Sequence, residues 1–160
     1  MVPRLFLCVP LLLVSCGTVH DWRELRTDPM TIGEAYDGIE VVGGADFVPD
    51  KAVCDRGLGI WQSRWRMRLL ERNYPGRCRL RVEILADEGS AATGWPIRFA
   101  VEQQIVEDLR YAASPREEDW DDTTQDKEKE AILGERLLRR LAPKSVVAPP
   151  RREQPKLPGT

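Results

Sequence analysis

The sequence predicts an α+β fold, an antiparallel meander of three to four strands covered on one face by a C-terminal helix. Two observations carry this prediction. Apolar and polar side chains alternate with a period of two in three consecutive segments, which is typical of strands with one buried face. A last segment instead places its apolar residues at helical spacing. Three long strands joined by short loops form a meander, and its apolar face needs a covering layer.

The first long strand is predicted from Trp61 to Leu69. Its odd positions include two tryptophans, a methionine and a leucine, whereas arginines occupy Arg64, Arg66 and Arg68. We therefore expect Trp61, Trp65, Met67 and Leu69 to face the core. A shorter strand is predicted before it at Ile39–Val42, because this run is β-branched and is followed by two glycines.

The second long strand is predicted from Arg77 to Asp87, with Cys78, Leu80, Val82 and Ile84 on its buried face. Asn73–Gly76 carries proline and glycine where a tight turn favours them. If Pro75 and Gly76 form the loop, Leu69 faces Val82 and Met67 faces Ile84, so that apolar residues meet across the two strands.

The third strand is predicted from Trp95 to about Val106, where the same alternation returns. Gln125–Leu141 then predicts the covering helix. Its acidic residues come early and its arginines late, as the helix dipole favours, and Ile132, Leu133, Leu137 and Leu141 share one face. Thr123 and Thr124 are candidate N-caps, and Pro143 ends the helix.

The N-terminus carries a targeting pattern. Arg4 precedes an apolar run from Leu5 to Val14, which is too short for the roughly 20 residues of a membrane-spanning helix. The sequence Leu13-Val14-Ser15-Cys16 resembles the lipobox of bacterial lipoprotein signal peptides. The resemblance implies cleavage before Cys16, acylation of that cysteine and, with Gly17 following it, sorting to the outer membrane. An ordinary cleaved secretory signal is the alternative.

The chain is therefore divided into four parts. We expect residues 1–15 to be a signal peptide and residues 16–35 a flexible tether. We expect residues 36–141 to form a single domain, and residues 142–160, which carry five prolines, to form a disordered tail. One compact domain is the expected count for the roughly 145 residues that remain after cleavage.

Cysteine usage is consistent with an exported protein. Cys8 lies in the removed segment and Cys16 receives the lipid, which leaves Cys54 and Cys78. We expect these two to form a disulfide, because exported proteins fold in an oxidising compartment. Two buried free thiols are the alternative. No CxxC spacing accompanies them, so a metal site is not expected.

Charge and motifs narrow the classes of function. Lysine and arginine number 24 against 26 acidic residues, which is not the basic balance of a nucleic-acid-binding protein. The one histidine, His20, stands in the predicted tether. No nucleophile elbow, phosphate-binding glycine loop or HExxH motif occurs. We expect no catalytic activity, cofactor or metal.

Arginines on the polar face of the predicted sheet are the candidate binding residues. Guanidinium groups bind oxyanions bidentately, and the anion-binding candidates are Arg64, Arg66, Arg68, Arg79 and Arg81. The acidic segment Glu117–Asp122 offers a second possibility, because it can fold back and neutralise this face while Trp120 stacks on an arginine. A solvated face is the third.

These observations predict a lipid-anchored accessory or interaction module of the cell envelope, without catalytic activity. Its expected location is the periplasmic face of the outer membrane. Its expected partners are the membrane, through the anchor, and envelope proteins or polymers, but not nucleic acid. The alternative is a binding module for an anionic glycolipid or a phosphate-rich polymer, which uses the arginine face.

Overall fold

The structure is a computed structural model that describes residues 21–69, 74–106, 108, 110, 113–121 and 123–145. Within these residues it contains one antiparallel sheet of six strands and two α-helices, which confirms the predicted α+β class and the C-terminal helix. In chain order the elements are β1 (Arg23–Arg26), α1 (Ile32–Gly44), β2 (Ile60–Gln62), β3 (Arg66–Leu69), β4 (Pro75–Ile84), β5 (Pro96–Ile105), β6 (Thr124–Gln125) and α2 (Lys127–Leu141).

The sheet is built around β4 and β5, which are ten residues long each. β4 and β5 pair with each other. β2 and β3 both pair with the other edge of β4, and β1 and β6 both pair with the other edge of β5. The predicted strands at β4 and β5 are confirmed. Their alternation gives one face of buried residues, among them Leu80, Val82, Ile97, Phe99 and Val101.

Both helices pack on this apolar face, which we call the inner face; the opposite face is the outer face. α2 buries Leu133, Leu137 and Leu141 against the sheet, as its periodicity predicts. Ile132, expected on the same side, is 46% exposed. The N-cap is Asp126, whose side chain accepts a hydrogen bond from the Lys129 amide, rather than the predicted threonines.

None of the helices in the described part of the chain combines the length and the apolarity that crossing a bilayer requires.

α1 corrects the strand predicted at Ile39–Val42. The helix begins at a capping box, in which the Thr31 side chain accepts from the Glu34 amide and the Glu34 carboxylate accepts from the Thr31 amide. Ala35, Ile39 and Val42 then follow at helical spacing and are buried. Packing of this face on the sheet outweighs the β-branched preference of the run.

Part of the predicted tether is ordered. β1 pairs with β5 over Arg23–Arg26, and Asp28 donates its amide to the carbonyl of Leu141. The prediction of a flexible tether over 16–35 is therefore wrong from residue 23 onward. Of the predicted tail, residues 143–145 form a short 3₁₀ helix, and residues 146–160 lie outside the described residues. The signal peptide and Cys16 also lie outside them.

The long strand predicted at Trp61–Leu69 is two strands with different registers. Trp61 of β2 lies opposite Val82, but Arg66 of β3 lies opposite Cys78. Five steps along one strand therefore match four along the other, and one extra residue enters between them. A one-residue shift moves every following side chain to the other face. Trp61 is buried in the core as predicted, but Met67 and Leu69 are 55% and 70% exposed.

The hairpin register is corrected as well. Pro75 and Gly76 belong to β4, where they lie opposite Leu69 and Arg68. They do not form the loop, so the predicted pairing of Leu69 with Val82 and of Met67 with Ile84 is wrong. The alternating pattern gives which residues of an uninterrupted strand share a face, but it gives neither where an extra residue interrupts the strand nor where the hairpin turns.

Candidate interaction surface

The outer face of the sheet carries two stacks of alternating arginines and tryptophans. In the first stack, the Arg77 guanidinium lies 4.7 Å from the ring centre of Trp65 and 4.4 Å from that of Trp120. The Arg79 guanidinium also lies 4.4 Å from the ring centre of Trp65. These distances are those of cation–π contacts. We call this surface the Arg–Trp face, and it comprises Trp22, Trp65, Arg77, Arg79, Arg81, Arg98 and Trp120.

The second stack is centred on Trp22, next to β1. Arg98 and Arg81 lie 4.9 and 5.7 Å from its ring centre. β1 therefore positions a tryptophan that the sequence placed in a tether. Trp65 was predicted to be in the core, and the extra residue between β2 and β3 brings it to the outer face instead. Aromatic residues at these two positions are visible in the sequence, but their side of the sheet depends on pairings that periodicity does not reveal.

Carboxylates hold the arginines of the Arg–Trp face. Arg77 donates two 2.8 Å hydrogen bonds to Glu117 and one of 2.7 Å to Gln104. Arg79 pairs with Glu102, which is 1% exposed. Both Arg81 and Arg98 pair with Glu83, at 2.8 and 2.5 Å. Glu83, Glu102 and the loop of Glu117 thus neutralise this face from within the molecule.

Of the alternatives left open by the sequence, the structure shows the acidic segment folded back on Arg77 through Glu117 and Trp120. Glu117 forms the bidentate pair with Arg77 and Trp120 covers the same guanidinium, which leaves Arg77 only 7% exposed. The hydrogen bonds from Arg77 lower the pKa of the Glu117 carboxyl. The loop is therefore held against Arg77 of β4 by one charged pair and one aromatic contact.

The ion pair between Glu117 and Arg77 depends on pH. Because the folded pKa of Glu117 lies below its ordinary value of 4.5, the pair contributes in full above that pH and is lost as the pH falls through the lowered pKa. We expect the Trp120 indole signal in an NMR titration to move toward that of an unstacked ring only below pH 4.5. In Glu117→Gln this acid-dependent step should be absent. An identical step in both proteins would mean that another group fastens the loop.

The predicted anion-binding arginines do not share one face. Arg79 and Arg81 lie on the outer face, whereas Arg66 and Arg68 lie opposite Cys78 and Gly76 and point to the inner side. Arg68 pairs with Asp126 at 2.6 Å, and Arg66 donates to the backbone carbonyl of Asp46. Arg64 is exposed, and among the described residues its guanidinium has no carboxylate partner.

The predicted disulfide is not formed, and Cys54 and Cys78 are free thiols. The Cys54 thiol donates to the carbonyl of Gln62 at 3.2 Å, and Gln62 lies opposite Arg81. Arg81 is three residues along β4 from Cys78, or about 10 Å at strand spacing, so the two thiols occupy different positions on the sheet. Burial raises the pKa of the Cys78 thiol.

The exposed backbone edge of β3 adjoins the Arg–Trp face. The amide of Ser63 donates to the carbonyl of Leu80, so Leu80, Cys78 and Gly76 direct their backbone groups toward β2 and β3. In an antiparallel ladder this direction alternates, so Arg66 and Arg68 bond β4 while Met67 and Leu69 point their amides and carbonyls away from the sheet. Within the described residues these outward groups have no hydrogen-bond partner.

The neighbouring β2 edge is covered. The amide of Arg64 donates to Val48, and the amide of Asp50 donates to Gln62, so residues 48–50 lie along it. This cover stops before Met67. We call the outward backbone of Met67 and Leu69, together with their exposed side chains, the β3 edge.

Among the described residues, no group of three or more His, Cys, Asp or Glu side chains could hold a metal ion. Comparison with known proteins adds no assignment. No family model, no curated protein and no solved structure matches the chain.

Proposed function

We propose that this chain is a lipid-anchored accessory protein of the bacterial cell envelope that has no catalytic activity and binds a protein partner at the β3 edge. The lipobox-like sequence that ends at Cys16 supports the anchor. It also supports a location at the periplasmic face of the outer membrane. The observation that carries the binding role is the β3 edge, where an uncovered backbone is combined with exposed apolar side chains.

The chemistry of the edge favours an extended peptide. An uncovered strand presents amides and carbonyls that pair with an added strand, and alternate side chains provide specificity. Soluble proteins usually cover such edges, or place charges or prolines on them. Here the backbone groups of Met67 and Leu69 point outward, and both side chains are exposed. Apolar side chains of a bound peptide would therefore pack on Met67 and Leu69 beside the backbone hydrogen bonds.

Binding of an anionic polymer by the sheet face is less well supported. Arg77, Arg79 and Arg81 each pair with a carboxylate of the same chain. An incoming phosphate would have to displace these charged hydrogen bonds, which are stronger than neutral ones. The Arg–Trp face is better suited to holding the sheet and the loop of Glu117 together.

A proline substitution tests the proposal without breaking the sheet. The Met67 amide points away from β4, so Met67→Pro removes a donor of the β3 edge and leaves the β3–β4 ladder in place. A photoreactive amino acid at Leu69 should crosslink a partner in intact envelopes, and Met67→Pro should reduce that crosslink at least tenfold. The same photoreactive residue at Val41, which is 60% exposed on α1, is the matched control and should give no such product.

The outcomes separate clearly. A partner crosslinked from Leu69 but not from Val41 supports the proposal, even if the proline variant proves unstable in a thermal melt. Crosslinking from Val41 alone, or a stable proline variant with an undiminished crosslink at Leu69, contradicts it. A product with twice the mass of the chain would assign the edge to self-association instead of a distinct partner.

A further inference from the structure

A cavity adjoins the inner side of β3. Its volume is about 360 Å³, and it lies between β3, the segment after α1 and the first turns of α2. Its apolar residues are Met67, which is exposed, and Phe47 and Cys78, which form its floor and are 3% and 2% exposed. Arg66, Arg68 and Lys129 form its rim. An apolar floor under a few polar groups is the usual composition of a small-ligand site.

The rim has an excess of positive charge. Arg68 pairs with Asp126 at 2.6 Å. Asp46 is shared by Lys129 at 3.7 Å and by Arg136 at 2.8 Å. Arg66 meets only the backbone carbonyl of Asp46 and has no carboxylate partner among the described residues. Four cations therefore meet two carboxylates around this opening.

The two halves of the cavity point to one ligand chemistry. We propose that this cavity binds a small amphipathic oxyanion, which is a carboxylate or a phosphate carried on a short alkyl chain. The oxyanion contacts Arg66 and Lys129, because a guanidinium and an ammonium together hold such a group by charged hydrogen bonds. The alkyl chain lies over Phe47 and Cys78. The cavity shares Met67 with the β3 edge, but the inference rests on Arg66, Lys129, Phe47 and Cys78 and requires no partner bound at that edge.

The buried thiol in the floor reports occupancy. In the mature protein, held in nanodiscs of neutral lipid, alkylation by iodoacetamide is followed at each cysteine by peptide mass spectrometry. Octanoate and octyl phosphate are the probes for the two oxyanions. We expect each effective probe to slow alkylation of Cys78 saturably, by about tenfold at ten times its Kd. Cys54, which lies at Gln62, is the internal control and should react at an unchanged rate.

Charge variants and uncharged probes decide the assignment. Arg66→Glu should abolish the protection, whereas Arg64→Glu, which reverses an exposed arginine without a described carboxylate partner, should preserve it. Lys129→Gln is a second rim variant, which tests the proposal if Arg66→Glu does not fold. Thermal melts show whether each variant is folded.

The proposal fails if octanol protects Cys78 as well as octanoate does, because the cavity then recognises only the alkyl chain. It also fails if inorganic phosphate protects equally, or if no probe protects. Protection by only one of the octyl anions supports the proposal and identifies the head group.

Discussion

Trp61→Ala is expected to lower the free energy of unfolding by about 3–5 kcal/mol, which is the range for removing a large buried aromatic side chain. Trp61 is fully buried and lies opposite Val82 in the sheet. Its indole packs so closely on α1 that a Cβ added at Gly43 would lie 2.6 Å from the ring. Truncation therefore opens a cavity at the contact between α1 and the sheet, and urea unfolding followed by far-UV circular dichroism measures the loss.

Trp61→Phe is the matched control. The indole Nε1 of Trp61 is buried without a hydrogen-bond partner among the described residues, and phenylalanine removes this unpaired donor while it keeps most of the ring volume. The phenylalanine variant should therefore retain most of the stability that alanine loses. If the alanine variant lost less than about 1 kcal/mol, the packing of α1 on Trp61 would not hold the fold together as described.

Glu130→Ala is expected to cost about 1–3 kcal/mol, because it leaves a buried backbone donor without its acceptor. Along β5, β1 ends its pairing at Phe99 and β6 begins at Glu102. In the gap between them the Val101 amide donates to Glu130 Oε1 at 3.0 Å. A side chain of α2 thus replaces a missing strand, and the same oxygen accepts from Gln125 at 3.0 Å.

Glu130→Gln separates this role from charge. The amide oxygen can still accept from Val101, whereas the attraction of Arg23 and Lys127, 3.5 and 3.4 Å from the second carboxylate oxygen, is lost. Glu130 is fully buried, but both cations are nearly half exposed and neither donates a hydrogen bond to that oxygen, so solvent screens their attraction. We therefore expect the glutamine variant to unfold much closer to wild type than the alanine variant. Equal losses in both would show that the charge, and not the hydrogen bond to Val101, is what stabilises the sheet.

The long periodic segments were predictable from sequence because burial alone determines them. β4, β5 and α2 each bury a regular series of apolar side chains, and their patterns extend over ten residues or more. α1 was missed because Ile39–Val42 has strand-like residues, although Thr31 and Glu34 carry the sequence signature of a helix start.

The surface was harder to predict because it depends on register. Periodicity places Arg79 and Arg81 on the polar side, but it cannot give their partners Glu102 and Glu83, which follow from how β4 aligns with β5. One extra residue before Arg66 reversed the sides of the whole of β3. The position of Trp65 on the Arg–Trp face, the apolar side chains of the β3 edge and the arginines beside the cavity of Cys78 all result from that single insertion.

Attachment to the membrane through Cys16 is the claim on which the proposed role in the envelope depends. The most direct test is the intact mass of the protein in the membrane fraction after native expression, compared with that of Cys16→Ala. We predict that the wild-type protein lacks residues 1–15 and carries a lipid-sized addition on Cys16, and that the variant shows neither change. An unlipidated protein released into the medium, or an uncleaved chain in the membrane, would contradict the account.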